Sequence, residues 1–173
     1  MNITDRPDRL LSNAIESIEL GADILMVNWI QVGWDAVQAM CADPQVTRPV
    51  LGHNAGAAAL CGNPTGGVSW SLINGMLPRL LGLDLVIFLT DQGRFAAAKD
   101  DCRQMVGEMI RPNLHFRPVL PVAGGGVTSE RVGSMCAEYG LDVAIAAGGA
   151  IFGHPAGPRE GARAFRRAIA RVM

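Results

Sequence analysis

Two glycine clusters carry the clearest chemistry in this sequence. Gly124-Gly125-Gly126 follows the apolar run Pro118–Ala123, and Gly148-Gly149 follows the run Val143–Ala147. Without a Cβ, such turns let backbone N–H groups close on an anion, and a helix starting just beyond adds a favourable dipole. The ligand that this suits is a phosphate. Each cluster could instead be only a tight turn. Both, however, stand at the same end of successive apolar runs, as the phosphate-binding loops of βα barrels do.

Other polar groups stand at the ends of the remaining runs. His53 ends the run Pro49–His53 and is followed by Asn54. An imidazole there is either a catalytic group at the mouth or a hydrogen-bonded structural one. Arg94, in Asp91-Gln92-Gly93-Arg94-Phe95, follows the run Leu85–Leu89. A cation on a glycine-hinged loop could close over an anionic substrate, or be a plain surface charge. Asn28 ends the run that starts at Ile24, and Asn2 lies in the first run, Met1–Thr4; both could reach the same mouth. His154 is expected to order the loop before the last helix, His115 to be exposed in a connection, and Asp142 to be structural at the opposite end. No carboxylate pair with metal-ligand spacing ends any run, and Asp91 is a solitary candidate. The residues therefore offer an anion site without an obvious general base and without a metal cage.

Alternating elements must position these groups. Six apolar runs are expected as strands: Met1–Thr4, Ile24–Trp29, Pro49–His53, Leu85–Leu89, Pro118–Ala123 and Val143–Ala147. Near-continuous apolar runs suit parallel strands buried on both faces. Between them lie helical patterns. Asp5 and Pro7 are expected to open the first, and Gly21 to stop it. Others span about 33–42, the region of Trp70 to Leu80 with Pro78 limiting it, and 99–110. A helix capped by Ser129 and a last one over about 158–171 complete the pattern. Six consecutive βα units imply a parallel α/β sheet, either doubly wound or a barrel. A full (β/α)8 barrel takes about 250 residues, so the chain is roughly two units short of closure.

Composition narrows the function. The chain has 173 residues, 49% of them apolar and 18% charged, which is globular and not disordered. With a net charge of −1 it has no basic field for nucleic acid or an anionic membrane. No apolar run is long enough to span a bilayer. The N-terminus lacks the pattern of a secretory signal, and the four cysteines form no metal or disulfide spacing, so reduced thiols in a cytoplasmic protein are expected.

Taken together, these residues resemble the large-subunit family of ribulose-bisphosphate carboxylase (RuBisCO), in particular its RuBisCO-like branch. The strongest segments are Leu120-Pro-Val-Ala-Gly-Gly-Gly126 and Gly148-Gly-Ala-Ile-Phe-Gly-His-Pro155. Asn2-Ile3-Thr4, Val27-Asn28-Trp29 with Gly33, and Gly52-His53 fall in the family's order. The resemblance implies an incomplete TIM (β/α)8 barrel whose six βα units correspond to barrel strands 3–8. Residues 1–173 would be one partial barrel domain, with the family's N-terminal domain and first two βα units absent. It also implies that Gly125, Gly126, Gly148 and Gly149 bind phosphate, that His53 is an active-site histidine, and that Arg94 replaces a mobile-loop lysine.

Other positions depart from the family. Where it has a second histidine, a serine, a phosphate-binding arginine and an aspartate, this chain has Ile87, Gly124, Asn54 and Asn28. These losses argue against carbon fixation. They fit enzymes that enolise or isomerise phosphorylated sugars with Mg²⁺, as in methionine salvage. The resemblance places the Mg²⁺ ligands in the missing units, so this chain alone is expected to bind no catalytic Mg²⁺ and to be inactive. Intact members are homodimers or larger. The alternative is a non-catalytic truncated barrel that binds phosphorylated ligands or complements a partner chain. An unrelated phosphate-binding barrel, of the phosphoribosyl isomerase kind, is a third reading.

Overall fold

A computed structural model describes residues 1–173 except Pro64, Arg94, Phe95, Asn113 and Leu114. Five of the apolar runs form one parallel sheet in consecutive order: β1 (Leu25–Val27), β2 (Val50–Gly52), β3 (Leu85–Leu89), β4 (Leu120–Gly124) and β5 (Ala144–Ala146). A doubly wound sheet reverses its strand order partway; this one does not. The longest pairing joins β3 and β4, from Leu85 opposite Leu120 to Leu89 opposite Gly124. Pro121 is tolerated inside β4 for a geometric reason. Leu120 N–H points to β3, where it meets Asp84 O at 2.9 Å, so position 121 faces β5, whose pairing begins only at Val122.

The sixth expected strand, Met1–Thr4, is reduced to a single parallel bridge between Asn2 and Met26. Ile3 N–H reaches Met26 O at 2.9 Å, and Met26 N–H reaches Met1 O at 2.7 Å. The ladder stops there because side chains take over. Asn2 Oδ1 accepts from Thr4 N at 3.1 Å and from Thr4 Oγ1 at 2.6 Å, and Thr4 Oγ1 in turn accepts from Asn28 N at 2.9 Å. Such a local turn competes with strand pairing.

Helices follow each strand. A 3₁₀ turn, Pro7–Arg9, leads into α1 (Leu10–Glu19), and Gly21 at φ +89° ends that segment. Asp5 does not cap the turn, since Arg6 holds that position; its carboxylate binds Arg6 N and Asn13 Nδ2 instead. Gly33, at φ +107°, divides the next stretch into α2 (Trp29–Val32) and α3 (Trp34–Ala42). Then come α4 (Ala57–Cys61), α5 (Leu77–Leu80) and α6 (Lys99–Ile110). The last three are α7 (Val132–Tyr139), α8 (Gly148–Phe152) and α9 (Pro158–Ile169). Ser129 is not the cap of α7 but the first residue of a 3₁₀ turn, Ser129–Arg131, with its hydroxyl on Glu130.

Pro78 has an effect that periodicity did not foresee. A π-helical turn, Ser71–Met76, precedes α5, and Leu77 N–H reaches back to Leu72 O. Pro78 lacks an N–H, and the wider turn adjusts the ladder around it. Gly75 in that turn lies against α6 so closely that a Cβ would sit 2.7 Å from Glu108 Cβ. Next to it, the buried Arg79 donates to Glu108 O, Phe116 O and Arg117 O at 2.8, 2.8 and 3.1 Å. One guanidinium thus ties the C-terminus of α6 to the chain entering β4, where a cation also suits the helix dipole.

The core lies between the sheet and its helices. Trp29, Phe88, Leu10, Leu25, Met105 and Met109 are among its fully buried side chains. Phe88 meets Tyr139 edge-on at 5.2 Å, which seats α7 against β3. Val86 and Phe88 face this core, so Ile87 and Leu89 point to the opposite face of β3. Among the described residues no helix is long and apolar enough to cross a membrane.

Candidate active site at the C-terminal ends of the strands

Ile87 and Leu89 form the apolar wall of a cavity of about 500 Å³. His53 and Asn54 supply polar groups from the end of β2, while Gly124, Gly125 and Ala146 line it from β4 and β5. A second hollow, of about 400 Å³, lies between the turns that follow β4 and β5 and is lined by Gly125, Gly126, Thr128, Ala147 and Gly149 among others. Gly125 and Ala146 line both, so the two spaces adjoin. The structure therefore brings His53, Asn54, Gly125, Gly126 and Gly149 to one end of the sheet, with Gly148 opening α8 beside them.

Each group is held by local backbone. His53 N–H continues the β1–β2 pairing by donating to Val27 O at 2.8 Å. Its Nδ1 accepts from Ala55 N at 3.1 Å, so the neutral ring carries its proton on Nε2. Asn54 is 7% exposed, and its Nδ2 has no hydrogen-bond partner although the residue lines the cavity. A buried amide donor left unpaired is costly, and the side chain would have to turn outward for a ligand acceptor to satisfy it.

The turn after β4 is tightly built. Gly125 and Gly126 have φ of +84° and +63°, the left-handed region that favours glycine. A Cβ on Gly126 would lie 2.6 Å from Gly93 N, and one on Gly124 would lie 2.8 Å from Ile87 Cγ2. The turn after β5 differs. Neither Gly148 nor Gly149 has positive φ, and a Cβ on either would meet nothing within 4 Å. Behind it, His154 Nδ1 accepts from Ala156 N at 3.1 Å, which orders the loop before α9 as expected.

Asn28 and Asn2 lie apart from the cavity. Asn28 Nδ2 bonds Gln31 Oε1 at 3.1 Å in the first turn of α2, and Asn2 serves the Thr4 turn; neither lines the cavity. Arg94 lies outside the described residues. Asp91, the lone carboxylate candidate, is engaged by Arg131, whose Nη2 binds its Oδ1 at 2.5 Å. Thr90 and Arg131 are the residues near the site that sequence reasoning missed, because neither belongs to a motif and their partners are distant in the chain. All four cysteines are free. Burial pushes the Cys41 thiol up to about 12, and burial with the charge of Asp91 pushes Cys102 up to about 11, so both are poor nucleophiles at neutral pH.

A Mg²⁺ site needs hard oxygen ligands, mainly carboxylates. Among the described residues no three His, Cys, Asp or Glu side chains come together to hold a metal. The cavity offers an imidazole and an amide but no carboxylate among its lining residues. The described residues do not fit that ion.

A parallel α/β sheet with a cavity and glycine turns at the carboxyl ends of its strands defines a class of ligand-binding scaffold. Comparison with known proteins gives the family. The sequence model of the ribulose bisphosphate carboxylase large chain, catalytic domain, matches residues 1–173, and the chain belongs to that family. It is 35% identical over all 173 residues to a ribulose bisphosphate carboxylase-like protein of Archaeoglobus fulgidus, covering 40% of that protein. It is also 35% identical to the 2,3-diketo-5-methylthiopentyl-1-phosphate enolase of Bacillus licheniformis, covering all of this chain and 42% of that enzyme. In structure it resembles a rubisco-like protein from Alicyclobacillus acidocaldarius, with a TM-score of 0.91 and 35% identity over 99% of this chain and 43% of that one. The chain thus spans well under half the length of these relatives.

Proposed function

We propose that this chain is the C-terminal, phosphate-anchoring part of an incomplete TIM (β/α)8 barrel, with the Met1–Thr4 segment and β1–β5 in the places of barrel strands 3–8. In the whole protein, that barrel would enolise or isomerise a phosphorylated sugar derivative. The observation that carries the reading is the junction of the two hollows at Gly125 and Ala146. A phosphate held by the Gly125, Gly126, Gly148 and Gly149 backbone would place the rest of its molecule in the cavity beside His53 and Asn54. There the Ile87 and Leu89 wall suits an apolar chain better than a second phosphate. The relatives named as enolases of a methylthiopentyl phosphate are consistent with such a substrate.

His53 Nε2 is the group on this chain with the chemistry to exchange a proton with a bound substrate, and Asn54, with its amide turned outward, would hydrogen-bond a substrate oxygen. Arg94, on the loop after β3, would add a cation. Mg²⁺, where the reaction uses it to stabilise an enediolate, would be held by residues beyond this chain, since those described here do not fit it. A homodimeric or larger assembly in the cytoplasm completes the reading. On its own the chain would bind phosphorylated ligands without turnover.

Calorimetric titration of the 173-residue chain with sugar monophosphates, followed by an enolisation assay with Mg²⁺, tests this. Binding without turnover is expected. Turnover by the chain alone would overturn the claim that the missing part is needed, and the absence of binding at millimolar ligand would overturn the phosphate site.

A further inference from the structure

We infer that Thr90 is a positioning residue for the turn after β4, setting the direction of the Gly125 and Gly126 N–H groups; the inference rests on the phosphate site proposed above. Thr90 directly follows β3 and is 1% exposed. Its N–H donates to Gly124 O at 3.1 Å, and its hydroxyl donates to Gly125 O at 2.5 Å. The same hydroxyl accepts from Gln92 N at 3.3 Å. Arg131 Nη1 adds a longer contact to Gly126 O at 3.4 Å while its Nη2 grips Asp91. Three successive carbonyls are therefore drawn to one side by two residues.

Peptide geometry converts this into a statement about the N–H groups. A trans peptide is planar, with its C=O and N–H on opposite edges. The Gly124 carbonyl shares a plane with Gly125 N–H, and the Gly125 carbonyl shares one with Gly126 N–H. Holding both carbonyls on Thr90 turns both N–H groups away from β3. Since β4 lies between β3 and β5, they turn toward the side where Gly148 and Gly149 stand. Gly125 N–H faces Ala146 O across the β4–β5 pairing, whereas among the described residues Gly126 N–H donates to no backbone acceptor. Successive N–H groups in left-handed backbone make a concavity for an anion, and here Gly126 supplies the free donor beside Gly125 at the end of the ladder. Gln92 and Gly93 pack against Gly126 from the β3 side and keep the turn from relaxing that way.

The test uses the chain labelled with ¹⁵N at glycine and titrated with inorganic phosphate, as wild type, Thr90→Val, Thr90→Ser and Arg131→Met. In the wild type the Gly125, Gly126, Gly148 and Gly149 amide signals are expected to shift together. Thr90→Val keeps the shape but loses the hydroxyl. It should bind phosphate about tenfold more weakly, the order of effect of one hydrogen bond. Its Gly125 and Gly126 heteronuclear NOE values should fall. Thr90→Ser should bind as the wild type does, and Arg131→Met, further from the turn, should weaken binding about twofold if the third carbonyl contact contributes. Folded Thr90→Val with wild-type affinity and ordered glycine amides would overturn the inference. If Thr90→Val does not fold, Thr90→Ser and Arg131→Met decide it: unchanged amide order and affinity in Arg131→Met, with altered affinity in Thr90→Ser, would overturn it. If wild-type signals ignore phosphate, the phosphate reading fails by itself. Amide order in Thr90→Val then still decides the positioning role.

Discussion

The turns after β4 and β5 hold the same residue type at the same end of neighbouring strands, yet for different physical reasons. After β4, glycine is forced. Gly125 and Gly126 adopt positive φ, and Gly124 and Gly126 have no room for a Cβ beside Ile87 and Gly93. After β5, nothing in the described fold requires glycine at 148 or 149, where a Cβ would stand in open space. Packing thus explains the first cluster even without a ligand. For the second, close approach of something from outside is the remaining physical reason. The case for an anion site therefore leans on the turn that does least for the fold, and the two turns should respond in opposite ways to the same substitution.

The largest effect is expected at Gly126. Gly126→Ala combines a left-handed φ of +63° with a contact of 2.6 Å to backbone Gly93 N, which cannot move aside as a side chain could. Strain and overpacking each cost about 1–3 kcal/mol, so a loss of roughly 3 kcal/mol is expected in chemical denaturation. A loss below about 0.5 kcal/mol, the range of an ordinary surface change, would mean that the turn is looser than described and would erase the contrast.

An intermediate effect is expected at Gly124, where the obstacle is a side chain. A Cβ there would meet Ile87 Cγ2 at 2.8 Å. Gly124→Ala should cost about 1–3 kcal/mol by overpacking. Ile87→Leu moves the branch one carbon outward at nearly constant volume and should relieve the clash. In the double mutant the cost should fall short of the sum by about 1 kcal/mol, a coupling that a double-mutant cycle resolves. Strict additivity would break the link between these positions. The same contact ties the two positions together, since any side chain at 124 would meet Ile87.

How far these features were legible in the sequence follows from the range of the interactions behind them. The apolar run at Leu85–Leu89 became a strand with the same limits, and the glycine clusters fell at strand ends, because burial on both faces and turn chemistry are written locally. The Met1–Thr4 run did not become a full strand, since the Asn2–Thr4 hydrogen bonds competed for the backbone, an outcome that apolar patterning does not register. Arg79, with carbonyl partners 29 to 38 positions away, and Thr90, 35 positions from Gly125, carry no periodic signal at all. At the site, the polar ends of strands were readable as a set. Which of them face the cavity was not, because Asn28 differs from Asn54 only in what its neighbours let it bond. Gln31 stands within reach of Asn28 Nδ2, whereas Asn54 Nδ2 is left without a partner in the cavity wall.

The smallest expected change in stability is also the sharpest test of the comparison. Gly149 lies inside α8, has no positive φ and would meet nothing with a Cβ. Alanine exceeds glycine in helix propensity, so Gly149→Ala should leave stability unchanged or raise it by about 0.5–1 kcal/mol. If the open space there is a ligand's, the added methyl stands where a phosphate oxygen would approach the backbone, and binding should weaken by about tenfold even as the fold holds. Melting temperature and phosphate titration on one sample read both quantities. A methyl that raises the melting temperature and lowers affinity would separate fold from ligand at one atom. A methyl that leaves affinity intact would mean that the backbone of α8 does not hold the anion, and the site would contract to the turn after β4.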